Sequence, residues 1–246
     1  MRASGDSTAH ALRYSEMPAL VLIPGLLCDQ RLWNSQMLVL KEYVDITVAD
    51  ITEQDTISGM AEAVLENAPV HFSLAGFSLG SQVALEIMRV GSGRVTRLAL
   101  LSATAGGVPP AVNATLQQAI QLLEQGHFVE YFDAVYSTYV SPSKNEDQML
   151  KATFINMARA VGREAGLRQM RALRAINGPI MNLGEIRCQT AVIGGREDRR
   201  TTPEAQEQLA KGIPGAELVI VENAGHFAPL EQPGAVSEAM ERWIME

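Results

Sequence analysis

The stretch LAGFSLGSQ, Leu74 to Gln82, decides the reading, because it sets Ser78 between Gly76 and Gly80 at the end of an apolar run. A Gly-x-Ser-x-Gly pentapeptide alone is a weak signal, since serine is common in tight turns. Its setting carries more. VHFSLAGF (70–77) is a strand-length run of apolar and small residues, and 79–91 has the apolar spacing of a helix. A strand, a sharp turn and a helix around a serine form the context of a nucleophile elbow. Side chains at Gly76 or Gly80 are expected to collide with neighbouring backbone, and the free N–H groups at the helix start are expected to point at a developing oxyanion.

The same alternation recurs outward from this point. Strands are read at ALVLIP (19–24), DITVAD (45–50), VTRLALLSA (95–103), TAVIGG (190–195) and AELVIVE (216–222), with helices near 29–41, 56–67, 202–211 and 233–244. Strands this uniformly apolar imply a mostly parallel sheet of about six strands covered on both faces. Between Ala103 and Thr190 the rhythm breaks into amphipathic segments at about 111–125, 127–139, 145–161 and 163–175. These predict a helical cap over 106–186 inserted into a core of 17–105 and 187–246. Gly106, Gly107, Pro109 and Pro110 mark its entry and NGPIMNLGEI (177–186) its exit. Residues 1–16 read as a flexible arm.

With 47% hydrophobic residues among 246, the chain has material for a sizeable core. A formal net charge of -8 opposes nonspecific binding to nucleic acid, which needs clustered Lys and Arg, so a small-molecule partner is expected. The N-terminus shows no apolar signal segment, and no window has the length to span a bilayer, so no membrane partner and a cytoplasmic location are expected. Cys28 and Cys188 read as reduced thiols, with no zinc-like spacing and no metal or cofactor implied.

A serine hydroxyl attacks only when a base takes its proton, so Ser78 requires a histidine and a carboxylate to orient it. Of four histidines, His226 in ENAGHFAPLEQP follows the last strand, at the sheet edge that delivers the loops. His71 belongs at the opposite strand end, His10 in the arm and His127 in the cap. The acid is sought in GGREDRRTTP, where Asp198 is preferred to its neighbour Glu197, with Asp50 a weaker candidate whose other role is a surface turn. The order Ser78, Asp198, His226 differs from that of the chymotrypsin and subtilisin arrangements.

LIPGLLCDQRLW, GFSLGS, GGREDRRTTP and NAGHFAPLEQP, in this order, resemble the α/β-hydrolase superfamily, in particular its small esterase-like branch with a helical cap. The resemblance implies the α/β-hydrolase fold and the catalytic triad Ser78, Asp198 and His226. It also implies an oxyanion hole from the backbone N–H groups of Leu26 and Leu79. Gly25, Leu27, Phe77 and Phe227 flank these positions and are expected to touch substrate. Pro24 stands where the family usually has histidine before the loop glycine. In the elbow, Phe77 and Ser81 also depart from the usual residues, and Ser81 is expected to loosen the packing of the helix.

The resemblance further implies a serine esterase acting on a small or medium ester, thioester or lactone. The same triad would also serve enol-lactone or carbon–carbon bond hydrolysis, and a non-catalytic ligand-binding role is the reading from another class. From Lys151 to Arg174 six bases face one acid, Glu164. Such a run is mostly a solvated face, and its sharper reading is the steering of an anionic substrate to the cap. The cap methionines and Trp33 are expected mainly to pack.

Overall fold

The computed structural model describes residues 17–106 and 110–246, so the expected arm and part of the cap's entry hinge lie outside the described residues. Six parallel strands form one sheet in the order β2-β1-β3-β4-β5-β6. They are β1 Ala19–Ile23, β2 Asp45–Val48, β3 Phe72–Phe77, β4 Val95–Leu101, β5 Gln189–Gly195 and β6 Glu217–Val221. Successive residues of a strand face opposite sides, so a central strand covered twice must be apolar throughout. On one face Leu20, Leu22, Phe77, Leu101 and Ile193 pack with Trp33 and Trp243. On the other, Val21, Ile23, Leu74, Leu98 and Val192 pack with Met60, Val83 and Leu209. Edge strand β2 alternates exposed and half-buried positions and ends earlier than its sequence implied.

The core helices are α1 Asn34–Leu40, α2 Ile57–Asn67 and α3 Leu79–Gly91 before the insertion, then α8 Pro203–Gly212, α9 Ala228–Glu231 and α10 Pro233–Met245 after it. The helix expected over 29–41 is divided, because Gln30–Trp33 winds as a 3₁₀ turn capped by Asp29 before α1 begins. Sheet order reverses at β1 and β3, which opens a crevice beyond their C-terminal ends. Leu26 and Ser78 both enter there.

Between β4 and β5 lies the helical insertion: α4 Pro110–Glu124, α5 Phe128–Tyr139, α6 Gln148–Val161 and α7 Arg163–Arg174. The Asp147 carboxylate accepts the Leu150 N–H at 3.0 Å and starts α6, while Gly162, at φ 87°, ends it and lets α7 fold back. Phe132, Tyr136, Phe154 and Met157 pack inside the insertion and belong to the same apolar cluster as Leu27, Phe77 and Phe227. The cap is therefore continuous with the core beneath the site. Met157 and Met170 are buried in this packing, whereas Met149 is exposed.

The approach of α3 to the sheet depends on Gly80. A Cβ there would lie 2.3 Å from the Ile23 carbonyl oxygen and 2.6 Å from that of Pro24, both backbone atoms that cannot swing aside. Gly80→Ala is expected to cost about 3 kcal/mol or more, because the helix must back away from β1. Urea denaturation measures this, and an unchanged midpoint would contradict the close approach.

Candidate active site

Ser78 ends β3 and opens α3 with φ 52° and ψ −111°, a backbone conformation a side chain rarely adopts, costing roughly 1–3 kcal/mol. The surroundings over-determine it. Ser78 N–H donates to the Leu101 carbonyl at 2.9 Å, and the Ser81 N–H donates to the Ser78 carbonyl at 3.0 Å. The Ser81 hydroxyl donates to the Gly76 carbonyl at 2.6 Å and lies 3.1 Å from that of Leu101. The expectation that Ser81 loosens the packing is thus corrected: its hydroxyl ties the elbow to two strands.

His226 follows β6, and its loop is held at both ends of its peptide unit. Its N–H donates to the Tyr139 carbonyl at 2.7 Å, and its own carbonyl accepts from the Ser102 hydroxyl at 2.8 Å. The imidazole faces Ser78 and Asp198 at once, with Nε2 2.9 Å from Ser78 Oγ and Nδ1 2.9 Å from Asp198 Oδ2. The consistent tautomer has Nδ1–H donating to the carboxylate and Nε2 accepting the serine proton. Phe77 and Tyr139 cover the imidazole, with ring centroids 5.3 and 5.7 Å away, and its side chain is 4% exposed.

Asp198 sits in the turn after β5 with its side chain fully buried. Burial pushes its carboxyl up, but His226 and the donors around it more than offset this and hold it below the ordinary value. Those donors are the Arg200 N–H at 2.7 Å, the Thr201 N–H at 2.9 Å and the Thr201 hydroxyl at 2.5 Å. Glu197 turns the other way and accepts from the Ser141 hydroxyl at 2.7 Å, and Asp50 accepts the Thr52 N–H in a surface turn. His71 and His127 are exposed, and His10 lies outside the described residues.

Ser78 and His226 open onto a cavity of about 350 Å³ between sheet edge and cap. Leu26 and Leu79 line it beside the serine, as do Phe77 and Phe227, while Leu116, Leu173 and Ile176 close it from the cap side. Gly25 and Leu27 are not among the residues lining this cavity. Gly25 packs against the Phe77 ring, which a Cβ there would meet at 2.7 Å. Leu27, at φ 54°, turns away and packs against Gly166 of α7, and its N–H donates to Gln169 Oε1 at 2.8 Å. The cap therefore holds the loop that carries Leu26.

The six bases of the Lys151–Arg174 segment do not line the cavity. Lys151 pairs with Asp133 at 2.8 Å, Arg171 with Glu124 at 2.8 Å and Arg163 with Glu164 at 2.7 Å. Arg168 donates to the Thr52 carbonyl, and Arg174 to Asn113. These pairs suit the reading of the run as a solvated face.

Sequence reasoning also missed Thr201, Glu231 and Gln169. Glu231 is buried, and burial holds its carboxyl above the ordinary value against three backbone donors, the N–H groups of Ser141, Gly225 and Phe227. It thereby ties the end of α5 to the His226 loop. The available signal for Thr201 was its place next to Arg200, whose N–H closes the Asx turn of Asp198 two residues on.

A parallel sheet with a helical insertion and a serine–histidine–aspartate line at its C-terminal edge defines a serine hydrolase of the α/β fold. The chain belongs to the alpha/beta hydrolase family, whose model matches residues 20–239. It is 24% identical to (E)-2-((N-methylformamido)methylene)succinate hydrolase of Acinetobacter baylyi, over 99% of this chain and 97% of that protein. Among solved structures it resembles an enol-lactonase from Burkholderia xenovorans, with a TM-score of 0.85 at 19% identity, covering 95% of this chain and 94% of the other. A thermophilic esterase from Thermogutta terrifontis gives a TM-score of 0.82 at 20% identity, covering 92% and 89%. Among the described residues no helix is long and apolar enough to cross a membrane.

Thr201→Val removes one donor from a buried carboxylate while keeping the side-chain shape. The expected loss at pH 7 is about 1–2 kcal/mol by urea denaturation. A carboxyl held below its ordinary 3.8 adds stability that is complete above that pH and disappears as pH falls through the lower folded value. The gap between wild type and Thr201→Val should therefore be full at neutral pH and narrow toward pH 3. A gap constant with pH would contradict the assignment.

Proposed function

We propose that this protein hydrolyses carboxylic esters of small to medium acyl groups through an acyl-enzyme on Ser78. The observation that carries the reading is the unbroken line from Ser78 Oγ to His226 Nε2 and from Nδ1 to Asp198, each link 2.9 Å, opening onto a largely apolar cavity. Ser78 Oγ attacks the ester carbonyl as its proton passes to His226 Nε2, and the carbonyl electron pair moves onto oxygen. The N–H groups of Leu26 and Leu79 stabilise that oxyanion; neither takes part in a hydrogen bond among the described residues. Collapse of the intermediate expels the alkoxide, which takes the proton from His226. Water then attacks the acyl-enzyme by the same route, giving the acid and free Ser78. Asp198 holds the imidazole in the required tautomer and offsets the charge it gains. Thioesters and lactones fall under the same acyl transfer, with the leaving group a thiolate or a tethered alkoxide.

Hydrolysis of p-nitrophenyl butyrate tests the reading. Ser78→Ala is expected to lose about 10⁶-fold in kcat, and Asp198→Asn about 10⁴-fold by presenting the wrong tautomer partner. Far-UV circular dichroism checks that both variants stay folded. A folded Ser78→Ala variant with appreciable turnover would overturn the proposal.

A further inference from the structure

Three arginines stand in the turn after β5, and two of them are matched. Arg196 pairs with Glu222 at 2.9 Å, and Arg199 donates to the Ser137 carbonyl at 2.7 Å and lies 3.1 Å from that of Val140. Arg200 differs. Its side chain lines the cavity, where it carries the only fixed charge among the described lining residues. Its Nε is buried without a hydrogen-bond partner, and no carboxylate pairs with its guanidinium among the described residues. The nearest acid in sequence, Asp198, takes only its backbone N–H and directs its other oxygen at Thr201 and His226.

A guanidinium cannot shed its charge, and leaving its buried Nε–H unmatched is costly. Stacking supplies part of the compensation: the guanidinium carbon lies 4.0 Å over the Tyr139 ring. That ring's centroid is in turn 5.7 Å from the His226 imidazole, so Arg200 stands one aromatic ring away from the reacting centre. Beside it the Tyr131 phenol also lines the cavity; burial lifts it to about 12 against the charge and the hydrogen bond of the Arg200 guanidinium, so it keeps its proton and can donate it to a ligand. A fork of N–H donors beside a hydroxyl, in a largely apolar pocket, matches a planar anion.

We propose that Arg200 and the Tyr131 hydroxyl form a carboxylate subsite, so that the substrate is a half-ester or lactone bearing a free carboxylate a short carbon chain from the scissile carbonyl. This rests on the acyl-transfer reading and names the substrate class for it. The carboxylate replaces the missing partner of Arg200 and fixes the depth at which the carbonyl meets Ser78. The surface bases of the cap have no part in it.

Monomethyl glutarate and methyl valerate differ by a carboxylate in place of a methyl group, so their kcat/KM ratio, followed by methanol release, reads the subsite. Wild type is expected to favour the half-ester by about ten- to hundred-fold, the worth of a charge-assisted hydrogen bond. Arg200→Gln should bring the ratio to about one or below, chiefly by raising KM for the half-ester, whereas Arg200→Lys should keep part of the preference. General damage to the pocket cancels in the ratio. A wild-type ratio near one, or a ratio unchanged in Arg200→Gln, would overturn the subsite. If neither ester is hydrolysed, acyl transfer of such esters fails, and calorimetric titration of glutarate decides the subsite alone. Binding to wild type that is lost in Arg200→Gln supports it, and no binding to wild type refutes it.

Discussion

A serine at φ 52° and ψ −111° does not remain there by local preference; the sheet and α3 must hold it, and the site depends on that constraint. Strain of roughly 1–3 kcal/mol is tolerable because the peptide is tied to β4 and the Ser81 hydroxyl joins the turn to the carbonyls of Gly76 and Leu101. Leu27, Ser102 and Asn223 also have positive φ, and they follow β1, β4 and β6. Strain is thus concentrated at the C-terminal ends of the strands, where three loops and the elbow must turn sharply to bring their groups together. The apolar sheet below, packed on both faces, supplies the rigidity that makes such turns sustainable.

The cap is equally part of this arrangement. Gln169 of α7 receives the Leu27 N–H, and the Tyr139 carbonyl at the end of α5 receives that of His226. Glu231 and Glu197 both engage Ser141, just beyond α5. The Leu26–Leu27 loop, the His226 loop and the Asp198 turn are therefore each bonded to the insertion. In the proposed chemistry the insertion excludes water and also positions the reacting groups. The Arg200 side chain, stacked on Tyr139, lies where core and cap meet.

The parts legible in the sequence were those whose signal is periodic or tied to residue type. Strands such as β3 and β5 could be read closely because burial on both faces leaves no polar position, and the cap helices because their apolar spacing is regular. Ser78, Asp198 and His226 stood out as reactive types placed after strands. The direction of Leu27, which packs against Gly166 rather than lining the cavity, was not legible because it depends on a positive φ that sequence neighbourhood does not reveal. The basic cap segment reads as a solvated face in the sequence, but its partners Asp133 and Glu124 come from other elements and were not legible there. Arg200 was hidden for the converse reason: three arginines in one turn look alike until their partners are seen.

The central claim is that the elbow and its histidine make Ser78 an activated nucleophile. Intact-protein mass spectrometry after incubation with a fluorophosphonate tests it directly, since the probe phosphonylates an activated serine with loss of fluoride. One adduct on wild type, absent from Ser78→Ala, is the predicted result. A folded wild-type protein that stays unmodified, or an adduct that persists in Ser78→Ala, would contradict the account.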